Sequence, residues 1–157
     1  MEINEVKFEQ VKRDAERQYK DLGSVYCPYL KESVAFNAKG LEHLKFKGRG
    51  RARSREDQYV RLRSIRLAPK ILSISHTLQG ISQKAEFVSE KTKNRRESFA
   101  KSVTYYEFIA VIGSARVRII VRSPDGEQKY FWSIIPFWKA DKITGKRLMH
   151  NGNPHED

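Results

Sequence analysis

The chain has 157 residues, a formal charge of +12 and one cysteine, Cys27. That length fits a single domain with room for a real core. The lone cysteine excludes an internal disulfide and a cysteine-based metal site and suits a reducing, cytoplasmic setting, and no apolar run approaches the roughly 20 residues needed to span a bilayer.

Residues 2–22 read as an amphipathic helix, because Ile3, Val6, Val11, Ala15, Tyr19 and Leu22 recur at helical spacing. Gly23 supplies a C-terminal stop. This segment is acidic rather than cationic-then-apolar, so no signal peptide is expected. It serves either as a core element or as a docking arm. Residues 33–37 read as a short strand through Val34-Ala35-Phe36. Asn37 then caps a short helix over 38–44. Residues 45–55 place six basic side chains in eleven positions around two glycines. They read as an exposed basic loop that either orders on a phosphate backbone or stays solvated. Ser54 with Asp57 caps a helix over 56–67, which Pro69 ends or kinks. Residues 70–75 form a second short helix or an extended run, and Gln79-Gly80 marks a turn.

From there the pattern turns to strands. Residues 84–93 alternate weakly, and 94–101 read as a charged connection. Three clearer strands follow at 103–112, 116–122 and 128–135. Gly113-Ser114 joins the first pair, Ser123-Pro124-Asp125-Gly126 joins the second, and Pro136 closes the last. Such short connections require antiparallel pairing. The expected fold class is α+β, with N-terminal helices packed on one face of a C-terminal antiparallel sheet of about four strands. The expected organisation is an N-terminal amphipathic helix (1–24), one α+β domain (25–139) and a flexible basic, polar tail (140–157).

The middle strand carries Arg116, Arg118 and Arg122 among Val117, Ile119 and Val121. Side chains alternate across a strand, so the arginines share one face and the aliphatic residues the other. The following strand can align Lys129, Phe131 and Ser133 on one side. Lys and Arg total 31 against 19 acidic residues, and the excess is spread along the chain. An anionic partner is implied, with nucleic acid the commonest and an acidic protein the alternative. No membrane partner is expected.

Metal catalysis would need clustered carboxylates or histidines. Glu86, Glu90, Glu107, Asp125 and Glu127 are scattered, and His43, His76, His150 and His155 lack ligand spacing, so no metal and no cofactor is expected. RNA cleavage without metal asks for less: a proton-transfer group and cations around the phosphate. His43 on the short helix, the arginines of the middle strand and Ser133 are the candidates, with Tyr105 or Tyr106 available for stacking or a proton. His43 as a surface or capping residue, Arg118 and Arg122 as a solvated face, and Ser133 as an ordinary strand residue are the alternatives. Trp132, Tyr130 and Phe137 read as core, and His76 as structural.

Three pieces taken together carry a resemblance. They are Phe36-Asn37-Ala38-Lys39-Gly40-Leu41-Glu42-His43-Leu44, the Arg-rich helix running into Pro69-Lys70-Ile71-Leu72, and Arg116-Val117-Arg118-Ile119-Ile120-Val121-Arg122 with Lys129-Tyr130-Phe131-Trp132-Ser133-Ile134-Ile135. Over residues 33–139 the chain resembles the barnase/EndoU/colicin/RelE-like nuclease superfamily, especially its phage and mobile-element branch. The resemblance implies N-terminal helices before a four-stranded antiparallel sheet, and a metal-independent ribonuclease or toxin. It implies His43 as general acid or base, Arg118 and Arg122 as phosphate-stabilising cations, and Ser133 as a contact to the scissile phosphate. Some members carry two histidines in the helical region, where this chain has one, and some members bind without cutting.

The leading expectation is an RNA-cleaving domain acting through a 2′,3′-cyclic phosphate. Lys39, Lys45, Lys47, Arg49, Arg51, Arg53, Arg61, Arg116 and Lys129 are the expected nucleic-acid contacts. A non-catalytic nucleic-acid-binding protein of a phage or mobile element is the alternative. A basic subunit docking on an acidic inhibitor or assembly protein is a third reading.

Overall fold

The first helix opens at Asn4, which accepts a hydrogen bond from the Val6 amide, and α1 runs Glu5–Leu22 rather than from residue 2 in this computed structural model, which describes residues 3–113 and 115–137, without the side chains of 88–92 and 137. The tail expected at 140–157 lies outside the described residues. Gly23 stops α1 at φ 62°, where a side chain would be strained. Next come strands β1 (Ser24–Cys27) and β2 (Glu32–Ala35), an antiparallel hairpin, and helix α2 (Ala38–Lys45). The stretch expected as a loop at 45–55 is a small ribbon instead. Strands β3 (Phe46–Lys47) and β4 (Arg51–Ala52) pair across a Gly48-Arg49-Gly50 tip. Arg49 and Gly50 both have positive φ there, which lets the chain reverse in so few residues.

Helices α3 (Arg55–Ser64) and α4 (Leu67–Ile74) follow. Ser54 caps α3 by accepting from the Asp57 amide. Pro69 lies in the first turn of α4, where its missing N–H is not needed, so it begins a helix rather than breaking one.

The second half is sheet: β5 (Gly80–Thr92), β6 (Arg95–Ile112), β7 (Ala115–Pro124) and β8 (Tyr130–Phe137). The strand order is β1-β2-β8-β7-β6-β5. The architecture is α+β with a mainly antiparallel sheet of six strands, where about four were expected. Two differences account for the rest. The hairpin of β1 and β2 adds to the β8 edge through one parallel pair, Ala35 with Tyr130. The charged connection expected at 94–101 is paired strand, in register down to Thr92 and Arg95. Every residue from 93 to 100 is exposed, so both faces of this end of the hairpin meet solvent and its charges do not prevent pairing.

The core lies between the helices and one sheet face. Val117, Ile119 and Val121 of β7 and Phe131 and Ile134 of β8 pack with Phe108, Leu44, Leu62, Ile65, Ile71 and Leu72. On the opposite face Val103, Tyr105, Ile120 and Ile135 form a second buried cluster with Trp132 against it. Among the described residues no helix is long and apolar enough to cross a membrane.

Candidate functional site

Helix α2 is placed by its own cap and by close packing. Asn37 accepts from the Gly40 amide, and Tyr19 of α1 donates its hydroxyl proton to the Asn37 carbonyl at 2.7 Å. Phe36 stacks on Phe131 with ring centres 5.1 Å apart. Gly40 faces the β8 backbone so closely that a Cβ there would lie well inside 3.0 Å of the Phe131 carbonyl oxygen. Residues three apart on a helix share a face, so the face that meets β8 at Gly40 meets it again at His43. There the imidazole stacks on Trp132, with centres 3.9 Å apart and planes 19° from parallel.

Trp132 owes its position to an irregularity in β8. Ile120 pairs with Ser133, but Val121 pairs with Phe131, so Trp132 is an extra residue opposite none on β7. Such a bulge re-aims side chains. It also undoes the expected alignment of Lys129, Phe131 and Ser133: Phe131 joins the helix-side core, while Ser133 lies opposite Ile120 of the second cluster.

Behind His43 runs a buried polar chain. Arg53 donates from Nε to the His43 carbonyl at 2.9 Å, and its NH2 nitrogen lies 3.1 Å from His43 Nε2. Arginine never accepts a hydrogen bond, so in this contact Arg53 is the donor and Nε2 the acceptor. The Asp57 carboxylate links Arg53 at 3.2 Å to Arg61 at 2.5 Å. Arg61 in turn donates to Ser133 Oγ at 2.6 Å. Arg53, Arg61 and Ser133 are all buried.

On the sheet side Arg122 is the centre of a second cluster. It donates to the Tyr130 and Tyr105 hydroxyls and pairs with Glu86 of β5. Its guanidinium lies 5.0 Å from the Trp132 ring centre. Burial pulls the Arg122 pKa down, but the hydrogen bonds with Tyr105 and Tyr130 and their charge outweigh it, and the net shift is upward. Burial raises the phenols of Tyr105 and Tyr130; the Glu86 hydrogen bond adds to the first, and Arg122 opposes the second. At neutral pH the cluster is therefore a fixed cation held by neutral hydroxyls and one carboxylate.

Between α2, the ribbon and this cluster lies a cleft of about 390 Å³. Its walls include Lys39, Glu42 and His43 from α2, Phe46, Lys47, Gly48 and Gly50 from the ribbon, and Arg122, Tyr130 and Trp132 from the sheet. Of the four residues expected to do chemistry, His43 and Arg122 line it. Arg118 does not; it faces Glu107 at 3.9 Å. Ser133 is fully buried on Arg61.

The expected nucleic-acid contacts divide in the same way. Lys39 and Lys47 line the cleft, and Arg49 and Arg51 are exposed on the ribbon beside it. Lys45 pairs with Glu16 of α1 at 3.0 Å. Arg53 and Arg61 are interior, 3% and 1% exposed, because Asp57 draws both inward. Lys129 pairs with Glu32 and lies over Tyr106, which packs against the helix-side core. Arg116 is exposed near the far end of β7. His76, read as structural, is exposed. Phe137 has no described side chain.

Sequence reasoning missed the roles of Arg53, Asp57, Glu86, Phe46 and Trp132. One signal was present. Arg53, Asp57 and Arg61 are spaced four apart, the spacing that lets a helical carboxylate reach a cation on either side. Glu86 is joined to Arg122 only through sheet register, which no local pattern reveals. Among the described residues no group of three or more His, Cys, Asp or Glu is placed to hold a metal ion. Compared with family models, with curated proteins and with solved structures, the chain matches none.

Proposed function

We propose that this chain cleaves RNA within the cleft by internal transesterification. The 2′-hydroxyl attacks the adjacent phosphorus, the bond to the 5′-oxygen breaks, and a 2′,3′-cyclic phosphate and a 5′-hydroxyl result. His43 takes part in proton transfer. Arg122, with Lys39 and Lys47, offsets the charge that grows on the phosphoryl oxygens. One observation carries the reading: His43, from the helical half, and Arg122, from the sheet, line the same cleft. The resemblance of residues 33–139 to the barnase/EndoU/colicin/RelE-like superfamily points the same way, and phage or mobile-element toxins are the corresponding setting. Within this reading Ser133, buried on Arg61, serves the fold, and Arg118 stands outside the cleft beside Glu107.

The burial of His43 favours a second reading. The residue is 8% exposed and its Nε2 is occupied by Arg53, as suits a residue that shapes a binding cleft. In that case the chain binds nucleic acid without cutting it.

The test is incubation of the purified protein with end-labelled RNA in EDTA. Cleavage to cyclic-phosphate ends, lost in both His43→Ala and Arg122→Ala while the fold is retained, supports the first reading. Binding that weakens steeply with salt, without cleavage, selects the second. No binding at moderate salt removes both and leaves an acidic protein as the partner.

A further inference from the structure

We propose that Phe46 is a stacking platform for one unpaired nucleobase of the bound RNA, which makes single-stranded RNA the substrate class of the cleft. The inference rests on the nucleic-acid reading above and narrows it. Three aromatic residues line the cleft, and two are already engaged. The Trp132 ring is stacked by His43 and has Arg122 5.0 Å from its centre. Tyr130 is 4% exposed, and its hydroxyl receives Arg122. Phe46 is 38% exposed. It leaves α2 in extended conformation, donating its amide to the Glu42 carbonyl, and opens the ribbon opposite Ala52. A small partner and a two-residue strand leave it partly open to the cleft.

An exposed ring on a monomer's surface is unremarkable by itself. Here it stands among cations that suit a phosphate backbone: Lys47 beside it, Arg49 and Arg51 beyond it, and Lys39 near the start of α2. Gly48 and Gly50 line the cleft without side chains, and nothing lies within 4 Å of where their Cβ atoms would be. A sugar–phosphate chain can therefore approach the ribbon backbone while its base reaches Phe46. A base inside a duplex has both faces covered by its neighbours, so this contact requires a single strand or a loop.

The probe is a short 2′-O-methyl oligonucleotide carrying one 2-aminopurine. It cannot be cut, because its nucleophile is blocked, and its fluorescence falls when the base stacks. Wild-type protein should quench it on binding. Phe46→Leu should lose the quench and weaken binding by about 5- to 150-fold, the range for one base–aromatic stack, whereas Phe46→Trp should keep both. The same sequence as a duplex should bind at least about 10-fold more weakly than the single strand. Binding with an unchanged quench in Phe46→Leu, or equal binding of the duplex, overturns the platform alone. No binding of the oligonucleotide by the wild type at low salt overturns the nucleic-acid reading, and the platform with it.

Discussion

Gly40 is the position where a single methyl group separates fold from site most sharply. In Gly40→Ala two effects oppose each other. Alanine favours a helix over glycine by about 1 kcal/mol, and taken alone that would stabilise α2. Against it, the new Cβ would stand 2.5 Å from the Tyr19 hydroxyl and closer still to the Phe131 carbonyl oxygen. A side-chain tip can rotate away, but a carbonyl inside a sheet cannot. The helix must therefore lift from β8, and overpacking of this kind costs about 1–3 kcal/mol. Displacing the Tyr19 hydroxyl also endangers its hydrogen bond to Asn37, worth about 1 kcal/mol. The net expectation is a loss of about 1–3 kcal/mol, or a fall in Tm of roughly 3–10 °C for a chain of this size. Urea unfolding with an unchanged m-value measures it. The lift also moves His43 relative to Trp132, so cleavage per folded molecule should fall. A variant as stable as the wild type, or more stable, would show that α2 does not bear on β8 as described.

Asp57→Asn leaves two buried guanidiniums facing an amide and should cost about 3 kcal/mol in denaturant unfolding. Ser133→Ala removes a buried acceptor from Arg61 and should cost about 1–3 kcal/mol while RNA cleavage per folded molecule is unchanged; a lost rate at unchanged stability would instead put Ser133 on the substrate. Alkaline titration gives a signed expectation. Burial keeps the phenols of Tyr19, Tyr105 and Tyr130 protonated above their ordinary range in the folded chain. Above pH ~10 the unfolded chain therefore binds fewer protons than the folded one, and the stability present below that pH is lost as pH rises. A flat stability profile from pH 9 to 11 would contradict that burial.

The legible parts of the fold were those fixed by neighbours in sequence. Asn37 and Ser54 cap the helices they were expected to cap. The alternation of β7 put Val117, Ile119 and Val121 into the core. His43 and Arg122 were nominated from their own surroundings, and both line the cleft. What escaped depends on distance. The bulge at Trp132 exists only as a mismatch between two strands, and it sets Phe131 in the helix-side core and Trp132 against His43. Glu86 reaches Arg122 across an intervening strand, because β6 lies between β5 and β7. Arg53 read as a loop cation because a basic run suggests solvent; Asp57, four residues on, draws it inside.

That redistribution changes where the chain presents its positive charge. The arginines of β7 looked like the phosphate-binding surface. Arg118 faces Glu107 and Arg122 is paired with Glu86, so carboxylates on β6 and β5 offset much of that field. Arg49 and Arg51, on the ribbon, are exposed beside the cleft. If nucleic acid is the partner, its phosphates beyond the cleft should lie along the ribbon rather than along the strand. Each phosphate contact to a single strand contributes about 0.7 to the slope of log Kobs against log salt. The double variant Arg49→Ala/Arg51→Ala should therefore flatten that slope by about 1.4, and Arg118→Gln should leave it unchanged. Titrations of a fluorescent RNA at several salt concentrations separate the two. A slope that falls with Arg118→Gln and not with the ribbon variant would return the phosphate path to the face of β7.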